Sequence, residues 1–230
     1  MIRNVFLDLD DTVLDFQKGE RLAIAYTLRD FGIEPTESCI DRYIEINLDC
    51  WRALERGEMT KDQVLIGRFE RLFSELKLDL SADKVQQVYE EYLAKEHDLI
   101  EGAEELLREF GRNKKYRLYM ATNGIPSVQK PRIRDAKIGG FFDGIFISEE
   151  IGYAKPDARF FEECFKKIEN FRPEESIIVG DSLTSDIKGG LNAGILTCHF
   201  NRRNIKYGDI RPHYEIKSLD ELIPLLDGIE

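Results

Sequence analysis

Four short apolar runs, each ending in a polar or glycine-containing tail, constrain this chain more than any other feature. They cover residues 5–7, 117–121, 144–148 and 176–179, and residues 195–199 form a fifth. Runs this short, apolar at consecutive positions, suit strands buried on both faces of a parallel sheet. The tails are Asp8-Leu9-Asp10, Thr122-Asn123-Gly124, Glu149-Glu150 and Gly180-Asp181-Ser182. Open parallel sheets bind ligands at the carboxyl ends of their strands, so these tails are where chemistry is expected.

Helical patterns alternate with the runs. Ala103, Leu106, Leu107 and Phe110 share one helical face, as do Phe160, Phe161, Cys164, Phe165 and Ile168. The alternation predicts an α/β fold with a doubly wound, Rossmann-like parallel sheet. Between the first run and Ala103 only helical stripes occur. They are Leu22/Ala25/Tyr26, Ile40/Tyr43/Ile44/Leu48/Trp51, Leu65/Phe69/Leu72/Phe73/Leu76 and Val85/Val88/Tyr89/Tyr92/Leu93. Thr60-Lys61-Asp62-Gln63 before the third reads as a capping box. Four amphipathic helices can form their own bundle. The expected organisation is a catalytic core of residues 1–15 and 100–230, with a helical cap of residues 16–99 inserted.

The chain has 230 residues and a formal net charge of −11. So acidic a chain disfavours a nucleic-acid polymer as partner, whereas a local lysine or metal still admits a small phosphate ester. Cys39, Cys50, Cys164 and Cys198 lack metal-ligand spacing and read as reduced, mostly buried thiols. No membrane-length apolar run appears, and residues 1–7 read as a first strand rather than a targeting peptide. The expected compartment is the cytoplasm.

Asp8 and Asp10 stand two residues apart at a strand end, where i and i+2 side chains share a face. Two carboxylates that close stay ionised only beside a compensating cation or donor. Asp181 ends another apolar run, so neighbouring strands would bring three carboxylates together, an oxygen-rich set suited to Mg²⁺. Asp186 is a candidate outer partner. A phosphate also needs positive and donor groups. Lys155 precedes Pro156 and is held off the helix that follows. Thr122 supplies a hydroxyl, and Leu9, Asp10, Asn123 and Gly124 supply backbone N–H groups.

Taken in order, these residues resemble the haloacid dehalogenase superfamily. Its first motif is Asp-x-Asp-x-Thr, here Asp8-Leu9-Asp10-Asp11-Thr12. Thr122 matches the second, Lys155 the third, and Gly180-Asp181-Ser182 with Asp186 the fourth. The resemblance implies that Asp8 attacks phosphorus to form an aspartyl-phosphate. It implies that Asp10 protonates the leaving oxygen and then activates water. Thr122 and Lys155 would hold the phosphoryl oxygens. Asp8, the Asp10 carbonyl and Asp181 would bind Mg²⁺, with Asp186 in support. Family dehalogenases lack a carboxylic acid at the place of Asp10, which favours a phosphatase, with a phosphomutase as rival.

The cap is expected to choose the substrate. Asn47 and Arg68 interrupt apolar stripes and are either satisfied within the bundle or aimed at a cleft. Trp51 can pack or stack on a ring. Phe16 lies in the hinge after the first motif. The stretch from Trp51 to Phe73, Thr122-Asn123-Gly124 with Gln129, and the segment from Ile147 to Pro156 resemble the bacterial pyrimidine 5′-nucleotidase branch. That implies a nucleoside monophosphate as substrate, with a sugar phosphate or another small metabolite phosphate as alternative. A non-catalytic binder and a response-regulator-like phospho-acceptor are the readings from other classes. A receiver needs neither Asp10 nor a large helical insert. No membrane partner is expected, and a monomer or homodimer is.

Overall fold

In a computed structural model that describes residues 1–229, six strands form one sheet in the order β3-β2-β1-β4-β5-β6, all parallel. They are β1 (Asn4–Leu7), β2 (Arg117–Thr122), β3 (Gly144–Ile147), β4 (Ser176–Gly180), β5 (Leu196–Phe200) and β6 (Tyr214–Ile216). The first five fall on the apolar runs. Ser148, which the run would carry into β3, instead opens a one-turn helix. Burial of both sheet faces accounts for the run-like pattern. Val5, Leu7, Leu118, Met120, Ile177 and Val179 pack on one side. Phe6, Tyr119, Ala121 and Ile178 pack on the other. The period-two geometry of a strand sends alternate residues to opposite cores.

Helices cover each face. Helix α5 (Ala103–Arg112) brings Leu106, Leu107 and Phe110 to the first core. The helix Ala158–Phe165 brings Phe160, Phe161 and Cys164 to the second. The C-terminal residues Leu219, Leu222 and Leu226 close the first core. This is the doubly wound α/β class that alternation predicts. The sheet order places β1 beside both β2 and β4, so the direction of winding reverses there. That is the switch point at which such sheets open a crevice.

The chain divides into two compact units. One is Met1–Asp15, Asp98–Pro126 and the segment from Ile133 onward; the other is Phe16–His97 with Ser127–Arg132. At the edge of the first unit, Asp15 N–H donates to Asp98 O and Ile100 N–H to Val13 O, each at 2.9 Å.

The second unit holds α1 (Phe16–Asp30), α2 (Glu37–Glu55), α3 (Lys61–Leu76) and α4 (Ala82–Leu93). The capping box is present: Gln63 N–H donates to Thr60 Oγ1 at 3.3 Å and Thr60 N–H to Gln63 Oε1 at 2.8 Å. The buried faces, however, are rotated from the apolar stripes. Helix α1 buries Ala23, Ile24, Thr27 and Leu28 and leaves Tyr26 exposed. Leu48 and Leu76 are exposed as well, while Asn47, Arg68 and Gln86 are buried. Polar residues occupy part of each buried face, so a stripe drawn through apolar letters alone misplaces it.

Candidate active site

Backbone geometry assembles the site at the carboxyl ends of β1, β2 and β4. Asp8 follows β1, and its N–H donates to Val179 O of β4 at 2.9 Å. The chain then turns sharply: Val13 and Leu14 N–H both donate to Leu9 O, and Asp11 N–H donates to Leu14 O. Asp11 takes φ +60° in this turn, a left-handed conformation that Asp tolerates better than most side chains. The turn keeps Asp10 close enough for its charge to act on Asp8.

Asp8, Asp181 and Asp186 each bring one carboxylate oxygen into a group within 4.8 Å of one another. Lys155 joins them from the loop before the helix Ala158–Phe165. Its Nζ donates to Asp8 Oδ1 at 2.7 Å, Asp186 Oδ1 at 2.5 Å and Ala121 O at 2.6 Å. The Lys155-Pro156 peptide is cis. Asn123 brackets the lysine backbone, accepting from Lys155 N–H at 2.9 Å and donating to Lys155 O at 2.8 Å. Ser148 Oγ donates to Asn123 O at 3.2 Å. Thr122, the last residue of β2, is buried, and its hydroxyl accepts from Gly124 N–H at 3.1 Å.

Asp186 reaches the cluster because residue 180 is glycine. A Cβ there would stand 2.2 Å from Asp186 Oδ2. The same oxygen accepts from Ser182 N–H at 3.1 Å. A single π-type turn, Leu183–Ile187, folds Asp186 back onto the end of β4. Such turns concentrate at functional sites.

The electrostatics show a cluster short of positive charge. Burial, then the charge of Asp186, pushes the Asp8 carboxyl up to about 8 despite Lys155. Burial, then Asp11, raises Asp181 well above the ordinary carboxylate range. Burial alone would lower Lys155, but Asp186 and Asp8 hold it above its usual value. Three clustered carboxylates, two of them bonded to the one ammonium of Lys155, form an all-oxygen donor set that fits a hard divalent cation.

The chain matches the model of the haloacid dehalogenase-like hydrolases over residues 2–194. It belongs to that family. The hydrolase is 39% identical to YfnB of Bacillus subtilis, described as a HAD-hydrolase, over 98% of this chain and 95% of that protein. The crystal structure of YfnB bound to magnesium superposes with a TM-score of 0.93, covering 98% of this chain and 99% of that one. The hydrolase is also 35% identical to the pyrimidine 5′-nucleotidase PynA of Streptococcus pneumoniae, over 97% of this chain and 94% of that protein. It is 30% identical to the pyrimidine 5′-nucleotidase YjjG of Escherichia coli, over 96% of each.

The four residues singled out for the cap sit in the helical unit. Asn47 and Arg68 are buried and bonded to each other, with Arg68 Nη1 donating to Asn47 Oδ1 at 2.7 Å. Asn47 Nδ2 donates to Glu20 Oε1 at 2.6 Å, and Arg68 Nη2 to Gln86 Oε1 at 2.7 Å. The rings of Tyr43, Phe69 and Tyr89 surround the guanidinium, at 4.8 Å for Tyr89. Of the two roles open from sequence, satisfaction within the bundle is what these bonds display. Trp51 is half-buried with Lys61 Nζ 5.9 Å from its ring. Phe16 is half-buried with the Arg132 guanidinium 5.8 Å away.

Sequence reasoning passed over four residues near the cluster. Asp11 is buried and accepts from Arg202 Nη2 at 3.1 Å and Arg203 Nη2 at 2.6 Å. His199 is fully buried and its Nε2–H donates to Asp181 O at 2.9 Å. Burial keeps this imidazole below its ordinary pKa. Asp11 lies inside the first motif but at its variable place, His199 lies within the fifth apolar run, and Arg202 and Arg203 follow β5, where nothing in the sequence flags them.

Proposed function

We propose that the hydrolase is a magnesium-dependent phosphomonoesterase that works through an aspartyl-phosphate on Asp8. The observation that carries this reading is the pairing of buried Asp8 with Lys155 Nζ at 2.7 Å, two residues before a second carboxylic acid, Asp10. A lysine-bridged carboxylate cluster suits a dianionic phosphate only if further positive charge joins it. Asp8, Asp181 and Asp186 would hold Mg²⁺, which supplies Lewis-acid charge stabilisation when bound.

An oxygen of Asp8 attacks phosphorus, the bond from phosphorus to the ester oxygen breaks, and Asp10 gives its proton to that leaving oxygen. Asp10, now a carboxylate, takes a proton from water as the water oxygen attacks the aspartyl-phosphate. Breakage of that second phosphorus–oxygen bond restores Asp8 and frees inorganic phosphate. Thr122 Oγ1, Lys155 Nζ and the N–H groups of Leu9, Asp10, Asn123 and Gly124 offset charge on the phosphoryl oxygens.

The substrate we infer is a nucleoside 5′-monophosphate, on the strength of the two pyrimidine 5′-nucleotidases among the relatives. Trp51 and Phe16 are proposed to contact the leaving nucleoside, with Asn47 and Arg68 supporting them from within the bundle. The test is a panel of phosphate esters assayed with Mg²⁺ and with EDTA. Pyrimidine deoxynucleoside monophosphates are expected to turn over best, and EDTA to stop the reaction. A clear preference for sugar phosphates would replace the substrate assignment, and EDTA-resistant turnover would remove the metal from it.

A further inference from the structure

The loop after β5 approaches the carboxylate cluster with two arginines. Arg203 Nη2 lies 2.6 Å from Asp11 Oδ2 and 3.8 Å from Asp181 Oδ2. Arg202 Nη2 takes the other Asp11 oxygen at 3.1 Å. Asp11 thus accepts from two guanidinium groups while its own side chain is only 11% exposed. It sits in the first-motif turn, so the bond joins the end of β1 to the loop beyond β5.

That loop is braced. Asn201 Oδ1 accepts from Ile205 N–H at 2.7 Å, and Asn201 Nδ2 donates to Ile205 O at 3.0 Å. Asn201 N–H is itself bonded to Ile216 O of β6 at 2.8 Å. Asn204 adopts φ +54°, which a short amide side chain tolerates. Arg202 and Arg203 are therefore presented from a closed turn rather than from a long free arm.

The same strand and loop grip Asp181 at its other end. His199, in β5, donates from Nε2 to Asp181 O at 2.9 Å, and its Nδ1 lies 3.1 Å from the Tyr207 hydroxyl, which bonds Glu215. Backbone and carboxylate of one residue are approached by two groups only four positions apart. Arg203 is itself 43% exposed, so what orders its guanidinium is the buried Asp11 carboxylate and the closed turn rather than burial of its own.

We propose that Arg203, locked in place by Asp11, is a positioning residue for Asp181 that sets how this carboxylate meets the divalent cation. The guanidinium stands 3.8 Å from Oδ2, beside one of the two oxygens that Asp181 can offer a cation. Mg²⁺ demands near-ideal octahedral geometry and is poorly served by a carboxylate free to rotate or bind through both oxygens. Groups that orient a metal's ligands change affinity when removed, even though they never touch the ion. The inference rests on the magnesium reading above.

The test is Mg²⁺ binding to the full-length protein, followed by calorimetry and by the Mg²⁺-dependent rise in melting temperature, for wild type, Arg203→Ala, Asp11→Asn and the double variant. Asn keeps the left-handed turn accessible, so Asp11→Asn removes the charge without forcing the backbone. Each single variant is expected to bind Mg²⁺ about 10–100-fold more weakly. The double variant should be no worse than the weaker single one. Turnover of an aryl phosphate should recover towards the wild-type rate at saturating Mg²⁺. Unchanged or tighter Mg²⁺ binding in Arg203→Ala would overturn the inference, since loss of a nearby positive charge alone would tighten binding. Additive losses in the double variant would also overturn it. A wild-type protein that binds no Mg²⁺ would instead remove the metal reading itself.

Discussion

Lys155 Nζ spans two buried carboxylates, 2.7 Å from Asp8 and 2.5 Å from Asp186. One ammonium thus serves both the proposed nucleophile and a carboxylate that belongs to a different strand end. Removing one partner from a buried ion pair costs about 3–5 kcal/mol, because the charge left behind is uncompensated. Lys155→Met is therefore expected to lower the unfolding free energy of the metal-free protein by about that amount. Added Mg²⁺ should restore part of the loss, and activity should remain absent. Urea unfolding in EDTA and in Mg²⁺ measures both, and equal stability of variant and wild type in EDTA would contradict the argument.

Acid should stabilise the metal-free protein over a range where most proteins are indifferent. Burial and Asp186 raise Asp8 from 3.8 to about 8 in the folded state. Between those values the folded protein holds a proton that the unfolded chain has released, so stability falls as pH rises through the window. Asp181 is shifted the same way. Asp157 and Asp227, held low by Arg159 and Lys115, act only below the ordinary carboxylate range and leave the window alone. His199, kept below its usual value of 6.5 by burial, works the other way in the acidic part of this window, so the melting temperature in EDTA is expected to decline from about pH 6.5 to about pH 8, and Asp8→Asn to flatten the slope. A melting temperature that rises across this range would refute the expectation.

Gly180 is constrained by contact rather than by backbone conformation. A methyl group there would meet Asp186 Oδ2 at 2.2 Å and Cγ at 2.4 Å. Asp186 would have to withdraw, giving up its bonds to Ser182 N–H and Lys155. Overpacking of this kind costs about 1–3 kcal/mol. Gly180→Ala is expected to lose that stability and most of its turnover together, while Gly194→Ala, with nothing within 4 Å, serves as a remote control. Its positive φ of 71° makes that control lose stability without losing turnover at matched folded fraction.

The strands were legible because each carries its signal locally. Val5, Phe6 and Leu7 are apolar in succession because both faces of β1 are covered. The carboxylate cluster was legible only on the condition that the strands ending at Asp8 and Asp181 are neighbours, as β1 and β4 are, because strand ends in a parallel sheet share an edge. Strand β6 was not, since it has three residues with the exposed Glu215 at its centre. Arg203 meets Asp11 across 192 positions, and a pairing that distant leaves no period in the sequence. The helical faces were misplaced for a related reason. Arg68 is buried among Tyr43, Phe69 and Tyr89 with Asn47 and Gln86 as partners, and only the tertiary fold reveals that these polar residues satisfy one another.

That buried chain makes its own prediction. Arg68→Ala removes a guanidinium bonded to both Asn47 and Gln86, and leaves Glu20 behind Asn47 in a buried setting. Unfolding of the helical unit is expected to become easier by about 3–5 kcal/mol, as for other broken buried charge networks. Substrate ranking among phosphate esters should change less than stability does. A variant with wild-type stability and an inverted ranking would move Arg68 out of the bundle's framework and into substrate recognition.

The proposed mechanism makes Asp10 the general acid, a role that can be read from the leaving group. General acid catalysis contributes about 10²–10⁴-fold when the departing oxygen needs a proton. A nucleoside alkoxide needs one badly, whereas a nitrophenolate leaves almost unaided. Asp10→Asn is therefore expected to lower kcat for a nucleoside monophosphate by about 10²–10⁴-fold and to affect formation of the aspartyl-phosphate from p-nitrophenyl phosphate far less. Because the proposed mechanism also makes Asp10 the base of the second step, the aryl ester should give a burst of nitrophenol with the phosphoryl group retained on Asp8. Rapid-quench measurement of the burst and mass analysis of the trapped protein test both halves. An equal loss for the two esters with no burst would confine Asp10 to holding structure or metal, and would remove the acid–base role on which the phosphatase assignment depends.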